Sequence, residues 1–379
     1  MKLSLATTAL ALVLGLAAPA FADIKIGATV SETGPASFLG DPEAKTLKML
    51  VEEINAAGGV NGEKLELVIY DDGGDPNKAR TFATRLVEDD EVVAVIGGTT
   101  TGTSMAIIPV FEDAEVPFIS LAGAIEIIDP VKPYTFKTPH TDRMACAKIF
   151  EDMKKNGITK IGMISGSDGF GASMHKQCLA IVGDYGIEVL ADETYGPTDA
   201  DMTPQLTNIK GKEGIQAVLN PGFGQGPAIV TRNYAQLAVG LPLYQSHGVA
   251  SDGFIELAGA EAAEGVRLPG TALLVAKLLP ESDPQRAVVT AYKDAYEKAT
   301  GKPVSTFGGY AHDALRILVD ALKRAGSTEP SDIRDAIEGT KGLVGTTGTV
   351  TMTAEDHLGL DLSAFRMLQI EKGGWKIVE

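Results

Sequence analysis

Short runs of β-branched and apolar residues alternate with longer polar segments in which apolar residues recur every three or four positions. The runs predict strands at 24–30, 65–71, 92–96 and 116–120. The segments between them have the periodicity of amphipathic helices. Because strands and helices alternate strictly, this half of the chain is predicted to form a parallel sheet covered by helices on both faces.

A second series of the same form follows. Its predicted strands lie at 160–165, 186–191, 214–220 and 241–246, and helical segments separate them. Two long helical patterns and a C-terminal hairpin complete the chain. The matching order of elements predicts two similar α/β lobes in tandem rather than a short-period repeat.

Two Asp-Pro pairs predict where helices of the first series begin. Asp is a favoured N-cap residue, and Pro is tolerated in the first turn, where its missing N–H has no partner to lose. Asp41-Pro42 is therefore expected to open the first helix, and Asp75-Pro76 the second.

Ligands of open parallel sheets bind outside the carboxyl ends of the strands. If the two lobes face each other, the loops that follow their strands line one cleft. These loops are rich in Gly, Ser, Thr and Phe, and they lie at 31–40, 98–104, 121–124, 166–171, 221–226 and 247–250.

The turn at 97–104 suits a small anion. Two glycines and a run of hydroxyl residues separate the buried third strand from the next helix. Such a turn directs backbone N–H groups and hydroxyls toward the positive end of a helix dipole. The alternative interpretation is an ordinary strand-to-helix turn with a threonine N-cap.

Residues 1–22 have the features of a secretory signal peptide. Lys2 precedes an apolar stretch at 3–18, and Ala20-Phe21-Ala22 is a small-residue cleavage motif. Cleavage after Ala22 would release a mature, exported, periplasmic protein that begins at Asp23. No later apolar stretch approaches the roughly 18 residues that a membrane span needs.

Composition excludes several functional classes. A net charge of −17 disfavours nucleic acid and anionic membranes as partners. The five histidines do not have metal-ligand spacing, and no G-x-S-x-G motif occurs. The sequence therefore predicts a binding protein rather than an enzyme, without a metal or another cofactor.

The two cysteines, Cys146 and Cys178, fall in predicted helices. In an oxidising compartment they could form a disulfide. They could equally be two buried thiols, because the sequence does not give the Cα distance that a disulfide requires.

Several motifs together resemble the branched-chain amino-acid (Leu/Ile/Val) binding proteins, the substrate-binding components of ABC importers. The resemblance extends over essentially the whole mature chain. Its motifs are Gly34-Pro35 with Gly40-Asp41, NAAGGVNG at 55–62, LEL at 65–67, YDDGGDP at 70–76, DGFG at 168–171 and EGV at 264–266.

The resemblance implies a type I periplasmic binding fold, in which two doubly wound parallel-sheet lobes are joined by a three-crossover hinge. The crossings would lie near 137–141, 266–270 and 344–347. Lobe 1 would comprise 23–138 plus 271–345, and lobe 2 would comprise 139–270 plus 346–379.

The resemblance also implies a ligand site between the lobes. A ligand carboxylate would be held by Thr101 and by the segment containing Ala122 and Ala124. Ala124 departs from a position often occupied by Thr, so main-chain N–H groups would have to serve there. The pocket walls would come from four aromatic residues: Phe38 (or its neighbour Leu39), Phe170, Phe223 and Phe307.

The largest departure from the family pattern is His247. Amino-acid binders place an acid at this position to pair with the ligand ammonium, and a histidine cannot act as that anion. It can instead donate to a carboxylate or phenol oxygen. Two alternatives remain open: His247 points away from the site, or Asp252 or Glu256 supplies the missing charge.

These features predict a periplasmic protein that encloses a small carboxylate and delivers it to an inner-membrane ABC permease, acting as a monomer. An aromatic or hydrophobic acid is the first ligand candidate. Leucine, isoleucine or valine is the alternative ligand. A sensor that docks on a receptor is the alternative function.

Overall fold

The computed structural model describes residues 23–378, so the predicted signal peptide at 1–22 lies outside the described residues. Its first sheet has five parallel strands in the order β2-β1-β3-β4-β5. The strands are β1 (Ile24–Val30), β2 (Leu65–Asp71), β3 (Ala94–Gly97), β4 (Phe118–Ser120) and β5 (Thr135–Lys137).

The second sheet has seven strands in the order β14-β13-β10-β9-β8-β6-β7. Strands β6 to β10 are parallel, and the C-terminal hairpin β13-β14 pairs antiparallel with the edge strand β10. The strands are β6 (Lys160–Gly166), β7 (Glu188–Tyr195), β8 (Ala217–Asn220), β9 (Leu243–Gln245), β10 (Arg267–Gly270), the separate ribbon β11 (Leu343–Val344) and β12 (Thr349–Val350), then β13 (Arg366–Glu371) and β14 (Gly374–Ile377).

Helices cover both faces of each sheet, as the alternating pattern predicts. None of the helices in the described part of the chain is long and apolar enough to span a membrane. The helices are α1 (Ser37–Ala56), α2 (Pro76–Glu88), α3 (Thr101–Asp113), α4 (Asp142–Lys155), α5 (Gly169–Ile181), α6 (Thr203–Lys210), α7 (Gln225–Gln236), α8 (Asp252–Ala258), α9 (Arg286–Thr300), α10 (Thr306–Ala325) and α11 (Pro330–Glu338).

Each sheet has a hydrophobic core on both faces. On the first sheet, α1 and α10 pack on one face, and α2 and α3 pack on the other. The second sheet is likewise enclosed between two apolar clusters. We call the part of the chain built on the first sheet the first lobe and the part built on the second sheet the second lobe. Because helices cover both faces of each sheet, the predicted fold class is confirmed.

The two Asp-Pro pairs behave differently. Asp75 caps α2 as predicted, since its carboxylate accepts from the amides of Asn77 and Lys78. The prediction for Asp41-Pro42 is wrong, because α1 already begins at Ser37 and Pro42 lies inside it. Gly40 permits this early start: a Cβ there would lie 2.2 Å from the carbonyl oxygen of Ser31, so only glycine lets the first turn pack against β1.

The lobe limits stay a prediction, and packing near the C-terminus favours a later third crossing. His357 stacks on Phe136 of β5, with ring centroids 4.1 Å apart, and its Nδ1 lies 2.8 Å from the carbonyl oxygen of Thr135. Val350 and Met352 belong to the core of the first lobe. We therefore propose that the chain crosses at 361–365, just before β13, rather than at 344–347.

Cys146 and Cys178 form a disulfide that joins α4 to α5, with Cα atoms 5.2 Å apart. Both residues are buried in one core cluster of the second lobe. The structure thus decides between the two alternatives that the sequence leaves open.

We expect replacement of both cysteines by alanine to lower the free energy of unfolding by about 3 to 4 kcal/mol, because the cross-link reduces the number of conformations that the unfolded chain can adopt. The expected loss of free energy follows from the length of the closed loop, because the two cysteines are separated by 32 positions. Urea denaturation of the oxidised protein and the variant measures the difference, and reduced wild-type protein is the control. Two titratable thiols in unreduced, denatured protein would contradict the disulfide.

Candidate functional site

A small cavity of about 40 Å³ lies between the carboxyl ends of the two sheets. The lining residues come from the strand-end loops of both lobes, from the first turns of α1, α3 and α5, and from α10. They are Leu39, Thr99, Thr100, Thr101, Leu121, Ala122, Gly123, Pro139, Phe170, Phe223, His247, Gly248, Phe307 and Tyr310.

The structure brings most of the predicted site residues together at this cavity. Six of them line it: Thr101, Ala122, Phe170, Phe223, His247 and Phe307. Phe38 is not among the lining residues, and Leu39 faces the cavity instead. Ala124 is fully buried in the core between the first sheet and α3, so its side chain does not reach the cavity.

Four phenylalanine rings form the apolar wall and connect the two lobes. Phe38 lies behind the cavity and packs on Phe307 of its own lobe, with centroids 5.8 Å apart. It also packs on Phe223 of the second lobe at 6.3 Å, and Phe223 meets Phe170 edge-on at 6.1 Å. Phe38 therefore supports the wall rather than presenting its own ring to a ligand.

Thr101 begins helix α3 at the cavity wall. The preceding Thr100 is the N-cap, and its side chain and that of Thr103 form a reciprocal capping box. This box leaves the Thr101 hydroxyl unused: its Oγ1 is buried and has no hydrogen-bond partner among residues 23–378. The amides of Thr101 and Gly102 also have no acceptor within the helix, so hydroxyl and amides together form a group of donors.

The adjoining segment at 121–124 is held from behind by a buried lysine. Lys137 Nζ donates to the carbonyl oxygens of Gly123, at 2.9 Å, and Ala124, at 3.2 Å. Burial lowers the pKa of Lys137 to about 7, while the nearby Asp142 and Glu126 carboxylates oppose the shift. The lysine thereby fixes the peptide planes of the segment that faces the ligand.

His247 points into the cavity from the second lobe. A Cβ built on Gly123 would lie only 3.1 Å from its Nε2, so glycine lets the ring approach the 121–124 segment closely. Its Nδ1 is buried and forms no hydrogen bond with any described residue. Burial, followed by the nearby His140 and Lys137, holds the pKa of His247 well below its usual range, so the ring is neutral.

Neither alternative acid reaches the cavity. Asp252 accepts a hydrogen bond from the indole Nε1 of Trp375 at 2.7 Å, on the outer side of α8. Glu256 is exposed on the same helix. In the described part of the chain, the cavity lining contains no carboxylate.

Three polar lining residues, Tyr310, Thr99 and Thr100, were not among the predicted site residues. Tyr310 follows Phe307 by three positions on α10, so helical spacing could have placed both on one face. Thr99 donates to the Oε2 of Glu43, 2.6 Å away, and accepts from the amide of Ser31 at 3.0 Å. Glu43 lies behind the cavity wall and is fully buried.

A group of hydrogen bonds around Glu126 joins the two lobes. Glu126, in the 3-10 turn Ile125–Ile127 of the first lobe, accepts from Ser173 at 2.6 Å, and from Lys176 and Gln177 at 3.2 Å each. These three residues lie on α5 of the second lobe. Burial opposes ionisation of Glu126, but these hydrogen bonds outweigh it and lower its pKa.

The titratable side chains near the cavity are not arranged as metal ligands. Within residues 23–378, no group of three or more His, Cys, Asp or Glu side chains could hold a metal ion. The buried His140 instead stacks on Phe365, with centroids 3.8 Å apart. Burial and the nearby Lys137 lower the pKa of His140 to about 3, so its ring stays neutral.

Comparison with known proteins agrees with this architecture. The family model described as Periplasmic binding protein matches residues 23–374. The chain is 28% identical over 318 residues to the leucine-, isoleucine-, valine-, threonine- and alanine-binding protein of Pseudomonas aeruginosa, a match that covers 83% of this chain and 82% of that protein.

Solved structures show the same fold. An extracellular ligand-binding receptor from Rhodopseudomonas palustris HaA2 has a TM-score of 0.87 at 29% identity, over 94% of this chain and 99% of the other. The branched-chain amino acid transporter substrate binding protein LivJ from Streptococcus pneumoniae, solved with isoleucine, has a TM-score of 0.83 at 26% identity, over 94% and 99%.

A cavity enclosed between two doubly wound lobes defines a solute-binding protein with the type I periplasmic binding fold. The chain belongs to the periplasmic binding protein family, and within it to the Leu/Ile/Val-binding proteins.

We expect Thr101→Val to weaken the binding of whichever carboxylic acid the protein binds by about tenfold or more, since a hydrogen bond to a charged group contributes roughly 1.5 to 3 kcal/mol. Thermal stability without ligand should not fall, because the hydroxyl has no partner to lose within the described residues. Calorimetry measures the affinity. The matched control is Thr84→Val on α2, whose exposed hydroxyl donates to the carbonyl of Arg80; equal affinities in the two variants would place the carboxylate elsewhere.

Proposed function

We propose that this protein encloses a small carboxylate with an aromatic or hydrophobic body, and no ammonium group, and delivers it to an inner-membrane ABC permease. The observation that carries the proposal is the composition of the cavity wall: His247 occupies the position of the expected acid, and the described lining residues include no carboxylate.

A buried ammonium needs an ionised partner, because burying an unpaired charge costs several kcal/mol. Two carboxyl groups lie near the cavity, but neither is suited to this role. Burial raises the pKa of Glu43 well above its usual value, so Glu43 is neutral. Asp168 caps α5 by accepting from the amides of Phe170 and Gly171, at 2.9 and 3.0 Å.

A carboxylate is well matched to the donors at the other end. The Thr101 hydroxyl and the free amides at the start of α3 supply donors from the first lobe. Neutral His247 can supply one N–H donor from the second lobe. Because these donors belong to different lobes, a ligand that contacts both stabilises the closed arrangement over an open one.

The phenylalanine rings favour an apolar body for the ligand. Phe170, Phe223 and Phe307 present faces and edges that pack well against an aromatic ring or a branched alkyl group. Closure over such a body removes it from water, and the contacts of Glu126 with α5 add to the stability of the closed form.

Leucine, isoleucine or valine is the second candidate ligand. It is favoured by the relatives, whose names record binding of branched-chain amino acids, and by the LivJ structure in complex with isoleucine. In that case the ammonium would have to be neutralised by a group outside the described cavity lining.

A thermal-shift screen of ligand-free protein distinguishes these candidate ligands when it compares an amino acid with the acid of the same shape that lacks the ammonium group. We expect 4-methylpentanoate, which is leucine without its ammonium group, and benzoate to raise the melting temperature. A ligand at 100 times its dissociation constant should stabilise the protein by roughly 2.7 kcal/mol. A strong shift with leucine and none with 4-methylpentanoate or benzoate would contradict the proposal.

We expect His247→Glu to change the preference from 4-methylpentanoate to leucine by roughly tenfold or more. The new carboxylate repels the carboxylate of both ligands, but only leucine has an ammonium group that can pair with it. Calorimetric titration of both ligands measures the ratio of affinities. The control is His247→Gln, which is neutral and should weaken both ligands without reversing their order. An unchanged order in His247→Glu shows that His247 does not set the specificity.

A further inference from the structure

A second polar group of the cavity, on α10, takes no part in the recognition described above. Tyr310 lines the cavity and is only 2% exposed, yet its hydroxyl has no hydrogen-bond partner within residues 23–378. Buried polar atoms are normally hydrogen-bonded, and leaving one unpaired costs roughly 1 to 3 kcal/mol. A bound molecule that brings a hydrogen-bonding group to this atom would remove that cost.

The atoms behind Tyr310 do not satisfy it either. The Glu43 carboxyl lies behind the cavity wall and is fully buried. Its Oε2 accepts from Thr99, but its Oε1 is also without a partner in the described chain. The phenol hydroxyl in the wall and one oxygen of the neutral carboxyl group behind it thus both lack a hydrogen bond.

The charge of these groups restricts what can bind there. The phenol donates one hydrogen bond and accepts others. Burial raises the pKa of Tyr310, so the phenol keeps its proton. An ammonium would find no ionised acid, and a second carboxylate would find no free cation, since the Lys137 ammonium already donates to Gly123 and Ala124. The ligand group that fits beside Tyr310 is therefore a neutral group that both donates and accepts hydrogen bonds.

We propose that the ligand carries a hydroxyl group in addition to its carboxylate, and that Tyr310 is the residue that recognises this hydroxyl. The inference rests on the proposed function, because it assigns one further substituent to the same carboxylic acid. It makes the cavity selective for hydroxylated acids over their unsubstituted parents, since a site built around a ligand hydroxyl discriminates against analogues that lack it.

Calorimetry with benzoate and with 2-, 3- and 4-hydroxybenzoate tests the inference. We expect at least one hydroxybenzoate to bind wild-type protein about tenfold more tightly than benzoate, the value of one hydrogen bond of roughly 1.4 kcal/mol. Tyr310→Phe should abolish this advantage, so that the ratio of the hydroxybenzoate and benzoate affinities falls to about one. The absence of an advantage in wild-type protein, or its persistence in Tyr310→Phe, overturns the inference.

Two controls separate the possible failures. Tyr292→Phe removes a buried hydroxyl that is hydrogen-bonded to Thr46, 2.7 Å away and outside the cavity lining, and should keep the advantage. Fluorobenzoates, in which fluorine replaces the hydroxyl, test the wild-type protein without any substitution and should lose the advantage. Benzoate binding without preference for a hydroxyl overturns only this inference, whereas no binding of any acid overturns the proposed function as well.

Discussion

The requirement that buried polar atoms have hydrogen-bond partners governs this site. Around the cavity most such atoms are satisfied within the chain: Thr100 pairs with Thr103, and Thr99 with Glu43. Thr101 Oγ1, His247 Nδ1 and the Tyr310 hydroxyl are not satisfied by the described residues. They come from both lobes and lie between aromatic rings. A ligand that satisfies them is therefore recognised and enclosed by the same contacts.

Helix α10 links the cavity wall to neighbouring segments of the chain. It carries Phe307 and Tyr310 into the cavity wall, and the Tyr310 carbonyl accepts from the Thr138 hydroxyl near the first crossing at 3.0 Å. One turn further on, the buried Asp313 accepts from the amides of Thr346 and Thr347, both at 2.8 Å. Helix α10 is thus held by Thr138, near the first proposed crossing, and by residues 346–347, which precede the third crossing proposed at 361–365.

Local sequence patterns predicted most strands and helices because the periodicity of these elements depends on residues that are neighbours in the sequence. They also brought Phe170, Phe223 and His247 to one cavity, since each follows a strand whose carboxyl end faces the cleft. The errors arose where distant contacts decide: Gly40 lets α1 begin before Asp41-Pro42, and the side chain of Ala124 turns into the core. Tyr310 was missed because neither its burial nor its unpaired hydroxyl is visible in sequence.

A crystal structure of the protein with its bound acid tests the central claim most directly. The account predicts a ligand carboxylate within hydrogen-bond distance of Thr101 Oγ1 and a His247 ring nitrogen, with the apolar body against Phe170 and Phe307. It also predicts that no ammonium group lies within the cavity. A bound amino acid whose ammonium contacts an ionised carboxylate, or a carboxylate placed away from Thr101, would contradict it.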